Sequence, residues 1–322
     1  MATLKDVAKK ANVSVSTASY AINGSSLITK ATREKVLLAA KELGYHPNGS
    51  AKSLKRNKSE IIGLFLSGFT GPFFGELLEG IQDTVVQNGY ELAVFASNER
   101  HRLLKERLVD GAIILNYHIS NNLLENLANK KMPIVALDRN IENPFIEKVL
   151  LPNKIGIELA VEHLVEKSHT RIGFIAGSQE SYDGETRLEA FKEVLQSKGL
   201  RFSESDLIRA DFTEVSGLVS MNQYLEKKKD YPSAFISAND EMAMGAIKAI
   251  QSKAIHVPNQ IAVIGFDDIQ IAKYFDPPLT TVRVQKKEWG IQAVNTLIAM
   301  IEKEDNVSFD SVPVKLIQRS SS

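Results

Sequence analysis

The sequence predicts two parts of different fold class: an all-α helix-turn-helix headpiece and a two-lobed α/β body with parallel sheets. Residues 1–46 contain three short amphipathic segments separated by turn residues, and after Ser59 continuous apolar strands alternate with helical stretches. A chain of 322 residues also exceeds the size at which a single core usually stops growing. We therefore predict a headpiece over residues 1–46, a hinge helix or linker over 47–58, and a body over 59–322.

The three headpiece helices follow from their caps. Thr3 with Asp6 has capping-box spacing, Ser14 is a good N-cap for a second helix over 15–22, and Thr29 caps a third helix over 30–43. The apolar residues of the third helix that we expect to face inward are Val36, Leu37, Ala40 and Leu43. Two short helices joined by a turn and braced by a third have helix-turn-helix geometry.

In that geometry the second helix enters the major groove of DNA. Ser and Thr hydroxyls can bond bases or phosphates, and a valine offers a methyl surface to thymine. The residues that this geometry leaves for DNA are Val15, Ser16, Thr17, Tyr20 and Asn23. The alternative for the same spacing is a small three-helix domain that binds protein.

Charge supports a polyanion partner at this end of the chain. Residues 1–60 carry eleven Lys and Arg against four Asp and Glu, a net charge of +7, so the rest of the neutral chain carries −7. A basic region on an acidic body favours nucleic acid as the partner. Charge alone favours the alternative, a solvated basic face.

The hinge contains an apolar side chain in a basic setting. Leu54 lies among Lys52, Lys55 and small residues that cannot build a core, so it is suited to wedging between base pairs in the minor groove. The lysines would then contact phosphates. The alternative is a linker leucine that rests on the body.

These residues together resemble the headpiece of LacI/GalR-type bacterial transcription regulators. The matching segments are residues 3–8, 13–24, 32–36, 43–48 and the hinge run 51–54. The resemblance continues through the body, which should then be similar to periplasmic binding proteins. It implies a homodimer that binds double-stranded operator DNA and a small-molecule effector. The family usually has Arg or His where Tyr20 stands, so the usual guanine contact is not implied here.

The body pattern predicts parallel sheets that are covered on both faces. The predicted strands are 61–66, 92–96, 112–115, 134–137, 172–176, 234–237 and 261–265. The predicted helices are 74–87, 121–130, 155–166, 187–198, 215–227 and 241–252. Only twelve residues, 97–108, separate the end of the second strand from the segment Val109-Asp110-Gly111 before the third strand, so the crossover helix should be short.

Ligands of such sheets bind at the carboxyl ends of the strands. By resemblance, Arg187, Asn239 and Asp267 would bind ligand hydroxyls, Phe73 and Phe212 would stack on the ligand, and Asp138 and Phe69 are weaker assignments. Arg187 at the start of a predicted helix opposes the helix dipole, which indicates either a role outside the helix or a surface pair with a nearby glutamate. Asp267 and Asp268 are equally compatible with an N-cap and turn pair and with a role in ligand binding.

The rest of the sequence lacks the motifs of common catalytic, metal and membrane-spanning sites. The chain has no cysteine, its six histidines show no paired metal spacing, and no nucleophile elbow, phosphate loop or dinucleotide fingerprint is present. No apolar stretch spans a bilayer and no signal core is visible at the amino terminus. We expect a cytoplasmic protein that is not an enzyme and has no metal or cofactor.

The function expected from these features is a ligand-responsive DNA-binding repressor. The polar set with an aromatic floor suits a sugar, which implies control of carbohydrate-utilisation genes. Two phenyl rings can also sandwich a purine, so a repressor controlled by a purine or by a protein corepressor is an alternative. A sugar-binding transport protein is an alternative of another class.

Overall fold

The computed structural model describes residues 2–46, 58–96, 100–303 and 311–322. It separates residues 1–59 from residues 60–322 as two units. The predicted boundary between headpiece and hinge, and the hinge residues Lys52, Leu54 and Lys55, lie outside the described residues. They stay predictions.

The first unit contains α1 (Leu4–Lys10), α2 (Val15–Ile22) and α3 (Lys30–Glu42). All three predicted caps are confirmed: Thr3 and Asp6 form a reciprocal capping box, and the Ser14 and Thr29 hydroxyls accept from backbone amides in the first turns of α2 and α3. These bonds satisfy amides that the helices leave unpaired, which explains where each helix begins.

The headpiece core is made of small and branched side chains. Val7, Ala18 and Val36 are fully buried where the three helices meet. The inward assignment of Leu37 was wrong, because its side chain is 47% exposed and Ala39 takes the buried position. The spacing of apolar residues in α3 is compatible with burial of either of two faces. The packing of the three helices determines which face is buried.

The second unit begins with a five-stranded parallel sheet in the order β2-β1-β3-β4-β5. Its strands are β1 (Ile61–Leu66), β2 (Glu91–Ala96), β3 (Gly111–Leu115), β4 (Ile134–Ala136) and β5 (Ile146–Lys148). Its helices are α4 (Phe74–Gln87), α5 (Arg102–Lys105) and α6 (Asn121–Leu127). The short crossover is confirmed, since α5 has four residues.

A second sheet of six strands has the order β11-β10-β9-β8-β6-β7, and it is parallel except at the β10–β11 edge. Its strands are β6 (Ile172–Ala176), β7 (Leu207–Arg209), β8 (Ala234–Ser237), β9 (Ala262–Asp267), β10 (Thr280–Val284) and β11 (Val314–Ile317). Helix α7 (Asn153–Glu166) precedes β6, and the helices between the later strands include α8 (Tyr182–Ser197), α9 (Glu214–Lys227) and α10 (Asp240–Ser252).

One helix that the sequence pattern missed ties the two lobes together. After β10, α11 (Lys286–Glu302) packs on α4 of the first lobe. Its Trp289 is fully buried, and the indole Nε1 donates to the Val149 carbonyl at 2.7 Å. The lobes are therefore not consecutive halves of the chain, because the chain returns to the first lobe near its end.

Candidate ligand site and nucleic-acid interface

The predicted DNA-reading side of α2 faces outward. Val15, Ser16, Tyr20 and Asn23 are exposed and Thr17 is half-buried, whereas the buried Ala18 and Ala21 hold the opposite side of the helix. Thr17 Oγ1 shares a hydrogen bond with Ser14 Oγ at 2.8 Å. Asn23 Nδ2 donates to the Ser19 carbonyl at 2.8 Å. This face is available to a groove, and its DNA contacts stay a prediction.

A cavity of about 360 Å³ lies in the second unit at the carboxyl ends of strands from both sheets. It is bordered by segments at the ends of β1, β3 and β4 in one lobe and of β6, β7, β8 and β9 in the other. The structure brings six of the seven residues assigned to the ligand to its wall, namely Phe73, Asp138, Arg187, Phe212, Asn239 and Asp267. Phe69, Asp240 and Asp268 are not among the residues that line it.

Arg187 is the centre of the polar wall. Ser181 caps α8, which starts at Tyr182, so Arg187 does not begin the helix and the dipole argument for it was wrong. A surface pair is also excluded, because the residue is 3% exposed. Its Nε donates to Asn153 Oδ1 at 2.8 Å, its Nη1 donates to the Ala238 carbonyl at 2.5 Å, and the guanidinium lies 3.8 Å from the centre of the Phe266 ring.

Asp267 faces Arg187 across the end of β9. Its Oδ1 lies 3.6 Å from Arg187 Nη1, accepts no hydrogen bond and is buried, with the residue 4% exposed. Burial raises the pKa of Asp267 to about 6, although Arg187 and Lys286 act in the opposite direction. Its backbone φ is +110°, in a region that non-glycine residues rarely adopt. Strain and an unpaired buried acceptor together are typical of functional positions.

Asp267→Asn is expected to stabilise the second unit at pH 7.5 by about 3 kcal/mol, because burial raises the pKa of Asp267 to about 6 and so penalises the ionised form at this pH. The folded carboxyl keeps its proton where the unfolded one has lost it. Its stabilising contribution is therefore present at low pH and lost as pH rises through about 6. Urea unfolding from pH 4 to pH 7.5 measures the free energy of unfolding, and the difference between Asp267→Asn and wild type should vanish near pH 4.

The exposed pair partner Asp230 provides the control, because Asp230→Asn removes a charge without relieving burial. A gain for Asp267→Asn that is equal at pH 4 and pH 7.5 would contradict the assignment.

Asn239 and Phe212 form the neighbouring wall. Asn239 Oδ1 caps α10 by accepting from the Met242 amide at 2.9 Å, and its Nδ2 donates to the Phe212 carbonyl at 2.8 Å. Phe212 has a φ of +69°. Its ring packs against Gly177, where a methyl group would overlap the ring, and against Gly184, where one would come within 2.9 Å. The bare glycine backbone therefore sets the position of the phenyl ring.

Gly177→Ala is expected to displace the Phe212 ring and weaken effector binding about tenfold, within the usual overpacking cost of about 1–3 kcal/mol. Operator binding without effector should not change. Gly75→Ala is the matched control, because a methyl group there meets nothing within 4 Å. Effector titrations of the two variants decide the point, and equal affinities would show that Gly177 does not position the ring.

Phe73 and Asp138 come from the first lobe. The Phe73 ring makes edge contacts with Phe74 at 5.5 Å and with Trp289 at 6.3 Å between centroids. Asp138 accepts from Arg139 Nε at 2.7 Å and from Arg139 Nη2 at 3.1 Å. Both carboxylate oxygens of Asp138 thus have a partner inside the protein.

Sequence reasoning missed three acidic residues of the wall, Asp183, Asp211 and Glu241. Asp183 Oδ1 accepts from Asn153 Nδ2 at 2.7 Å, and burial raises the pKa of this carboxyl. Burial also raises the pKa of Glu241. The N-cap spacing of Ser181 and Gly184 could have placed the start of α8, and with it Asp183, at the strand end.

Two negative findings hold for the part of the chain that the structure describes. No helix there is both long enough and apolar enough to cross a membrane. The His, Asp and Glu side chains there form no group of three or more that is arranged to hold a metal ion.

A helix-turn-helix unit joined to a two-lobed body with a cleft defines a ligand-responsive DNA-binding transcriptional repressor. The chain belongs to the LacI/GalR family. Residues 3–48 match the model of bacterial regulatory proteins of the lacI family, and residues 161–322 match that of the periplasmic binding protein-like domain. The expected family and fold class are thereby confirmed.

Among similar proteins, the HTH-type transcriptional repressor PurR of Photobacterium profundum is 34% identical over 331 residues, covering 99% of this chain and 98% of the relative. A lac repressor dimer bound to operator and the anti-inducer ONPF has a TM-score of 0.83 at 29% identity, covering 99% of this chain and 98% of that one. The complex of the transcriptional regulator CelR with cellobiose has a TM-score of 0.74 at 28% identity and full coverage of both chains.

Proposed function

We propose that this protein represses transcription by binding an operator as a homodimer through α2, and that a small effector in the cavity of the second unit sets the affinity for DNA. The observation that carries the effector site is the buried Oδ1 of Asp267, which accepts no hydrogen bond, in a cavity at the strand ends. The outward face of α2 carries the DNA assignment. The effector can act only through a difference in its affinity for the two states of the protein.

On the DNA side, we propose that Val15, Ser16, Thr17 and Tyr20 read the major groove, with Asn23 on a phosphate. The hinge residues Lys52, Leu54 and Lys55 are assigned to the minor groove on their sequence pattern alone. The protein would act in the cytoplasm, where its operator is, and it would not be an enzyme, since its relatives are named repressors.

For the effector we propose a flat or ring-shaped neutral molecule between Phe73 and Phe212, with a purine as the first candidate. The relatives that carry the name PurR favour the purine alternative over the sugar expected from the sequence. The carboxylates of Asp183 and Asp267 would accept from purine N–H groups, and Arg187 would donate to a ring nitrogen or oxygen.

A sugar is the second candidate, favoured by the structural similarity to the CelR–cellobiose complex. Asp, Asn and Arg side chains pair well with hydroxyl groups, and a phenyl ring suits the apolar face of a sugar. A purine would stack between both phenyl rings, whereas a sugar would lay its apolar face on a phenyl ring.

Thermal unfolding of the full chain with purine bases and with sugars including cellobiose should identify the effector class. A true ligand at about 100 times its dissociation constant raises stability by about 2.7 kcal/mol. The same compound must then change operator affinity in a DNA-binding assay, and Asp267→Asn must weaken both effects. If no purine or sugar changes operator affinity, the proposed small-molecule control is wrong and a protein corepressor becomes the better hypothesis.

A further inference from the structure

The wall of the effector cavity is strongly acidic. Among its described residues, one side chain is a cation, Arg187, and five are carboxylates: Asp138, Asp183, Asp211, Glu241 and Asp267. The acidic character continues into an adjoining groove of about 430 Å³, which shares Tyr117, Asp138, Ser181 and Tyr182 with the cavity. The same groove is also lined by Glu180, Glu185 and Glu189.

The cationic side chains in and beside the cavity already have acceptors within the protein. Arg187 donates to Asn153 and to the Ala238 carbonyl and faces Asp267. Arg139, in the adjoining groove, donates to both oxygens of Asp138. Lys286 Nζ donates to the Asp267 carbonyl at 2.7 Å and lies 3.5 Å from Glu76 Oε2. A phosphate would compete with these protein acceptors for the donor atoms that they engage.

One buried polar atom of the cavity wall is an acceptor that receives no hydrogen bond. Asp267 Oδ1 is buried and receives no hydrogen bond, so it requires a ligand group that donates. A hydroxyl or a ring N–H meets this requirement. A phosphate group at neutral pH presents acceptor oxygens and negative charge, which carboxylates at short range repel in a low-dielectric cavity.

We propose that the cavity selects an unphosphorylated effector and rejects its phosphate ester, and that Asp183 and Glu241 are specificity-determining residues for this choice. The proposal rests on the proposed function, in which this cavity binds the effector. It applies to a free sugar as against a sugar phosphate, and to a purine base or nucleoside as against a nucleotide. Specificity here comes from repulsion of the wrong ligand as much as from contacts with the right one.

The single tryptophan provides the readout, because Trp289 lies against Phe73 in the wall of the cavity. Fluorescence of the full chain is titrated with inorganic phosphate, glucose 6-phosphate and adenosine monophosphate, each beside glucose or adenosine. The expected result for the wild-type chain is no saturable response to the three phosphate compounds. A saturable response to any of them would overturn the proposal.

The double variant Asp183→Asn with Glu241→Gln replaces two carboxyl groups with neutral amides of similar volume. We expect it to bind at least one phosphate compound at least tenfold more tightly than wild type. The control is Glu193→Gln, on α8 at the exposed pair with Lys154, which should not differ from wild type. A folded double variant that binds phosphate no better than the control would also overturn the proposal.

Failure of the proposed function gives a different pattern. In that case no unphosphorylated sugar or purine changes operator binding by the wild-type chain, whatever the phosphate titrations show. Rejection of phosphate by the wild-type chain and its gain in the double variant remain measurable on their own.

Discussion

Arg187→Ala is expected to weaken the effector response of operator binding strongly. The guanidinium bridges Asn153, the Ala238 carbonyl and Asp267, and no other cation lines the described wall of the cavity. Loss of one hydrogen bond from a charged donor costs about 1.5–3 kcal/mol. Effector affinity should therefore fall by about tenfold to 150-fold, and affinity for operator DNA without effector should be unchanged.

Arg187→Ala is also expected to change the pKa of Asp267, which loss of a ligand contact alone would not do. Arg187 lowers the pKa of Asp267 against the effect of burial, so its removal raises that pKa further and leaves the carboxyl protonated over a wider pH range. In Arg187→Ala, the pH range over which the stabilising contribution of Asp267 is lost should therefore move to higher pH.

A matched control comes from another arginine of the same lobe. Arg171 pairs with Asp206 at 2.8 Å and with Asp230 at 2.7 Å and does not line the cavity. Arg171→Ala should lower stability while the effector response persists. If Arg187→Ala keeps a normal response at a temperature where it is folded, Arg187 does not bind the effector.

Removal of residues 1–59 is expected to eliminate specific operator binding and to leave effector binding intact. The second unit has its own extensive core, in which Leu64, Phe174 and Trp289 are fully buried. The headpiece core is a separate cluster around Val7 and Val36. Since specific binding exceeds non-specific binding by about 10³-fold or more, operator affinity should fall by at least that factor.

Gel-shift titration against the full chain measures the loss, and effector titration by Trp289 fluorescence provides the internal control. A fragment of residues 60–322 that still bound operator specifically would show that the headpiece is not the DNA-reading unit. A fragment that did not fold would be recognised by loss of the cooperative unfolding transition.

Local patterns in the sequence predicted much of the fold. The caps at Thr3, Ser14 and Thr29 and the strands Ile61–Leu66, Ile172–Ala176 and Ala234–Ser237 lie where the sequence placed them. Capping bonds form within one helical turn, and continuous apolar runs bury on both faces of a sheet. Both patterns depend only on residues that are close to one another in the sequence.

Long-range packing decided the features that were missed or misplaced. The start of α8 lies at Tyr182, one and a half turns before the predicted start, because the apolar pattern marks only the part of a helix that faces the core. Leu37 was assigned inward on spacing that Ala39 satisfies better once α1 and α2 pack against α3.

The sequence by itself determined that this chain has a basic helix-turn-helix headpiece and an α/β body, because periodicity, caps and charge are local properties. Only the tertiary structure decided that α11 returns to the first lobe and that Arg187, Asp183 and Asp267 meet in one acidic cavity. Asn153, Arg187, Ala238 and Asp267 are far apart along the chain. Their contact depends on which strands become neighbours in the sheet, and burial at that point gives Asp267 its raised pKa and unpaired oxygen.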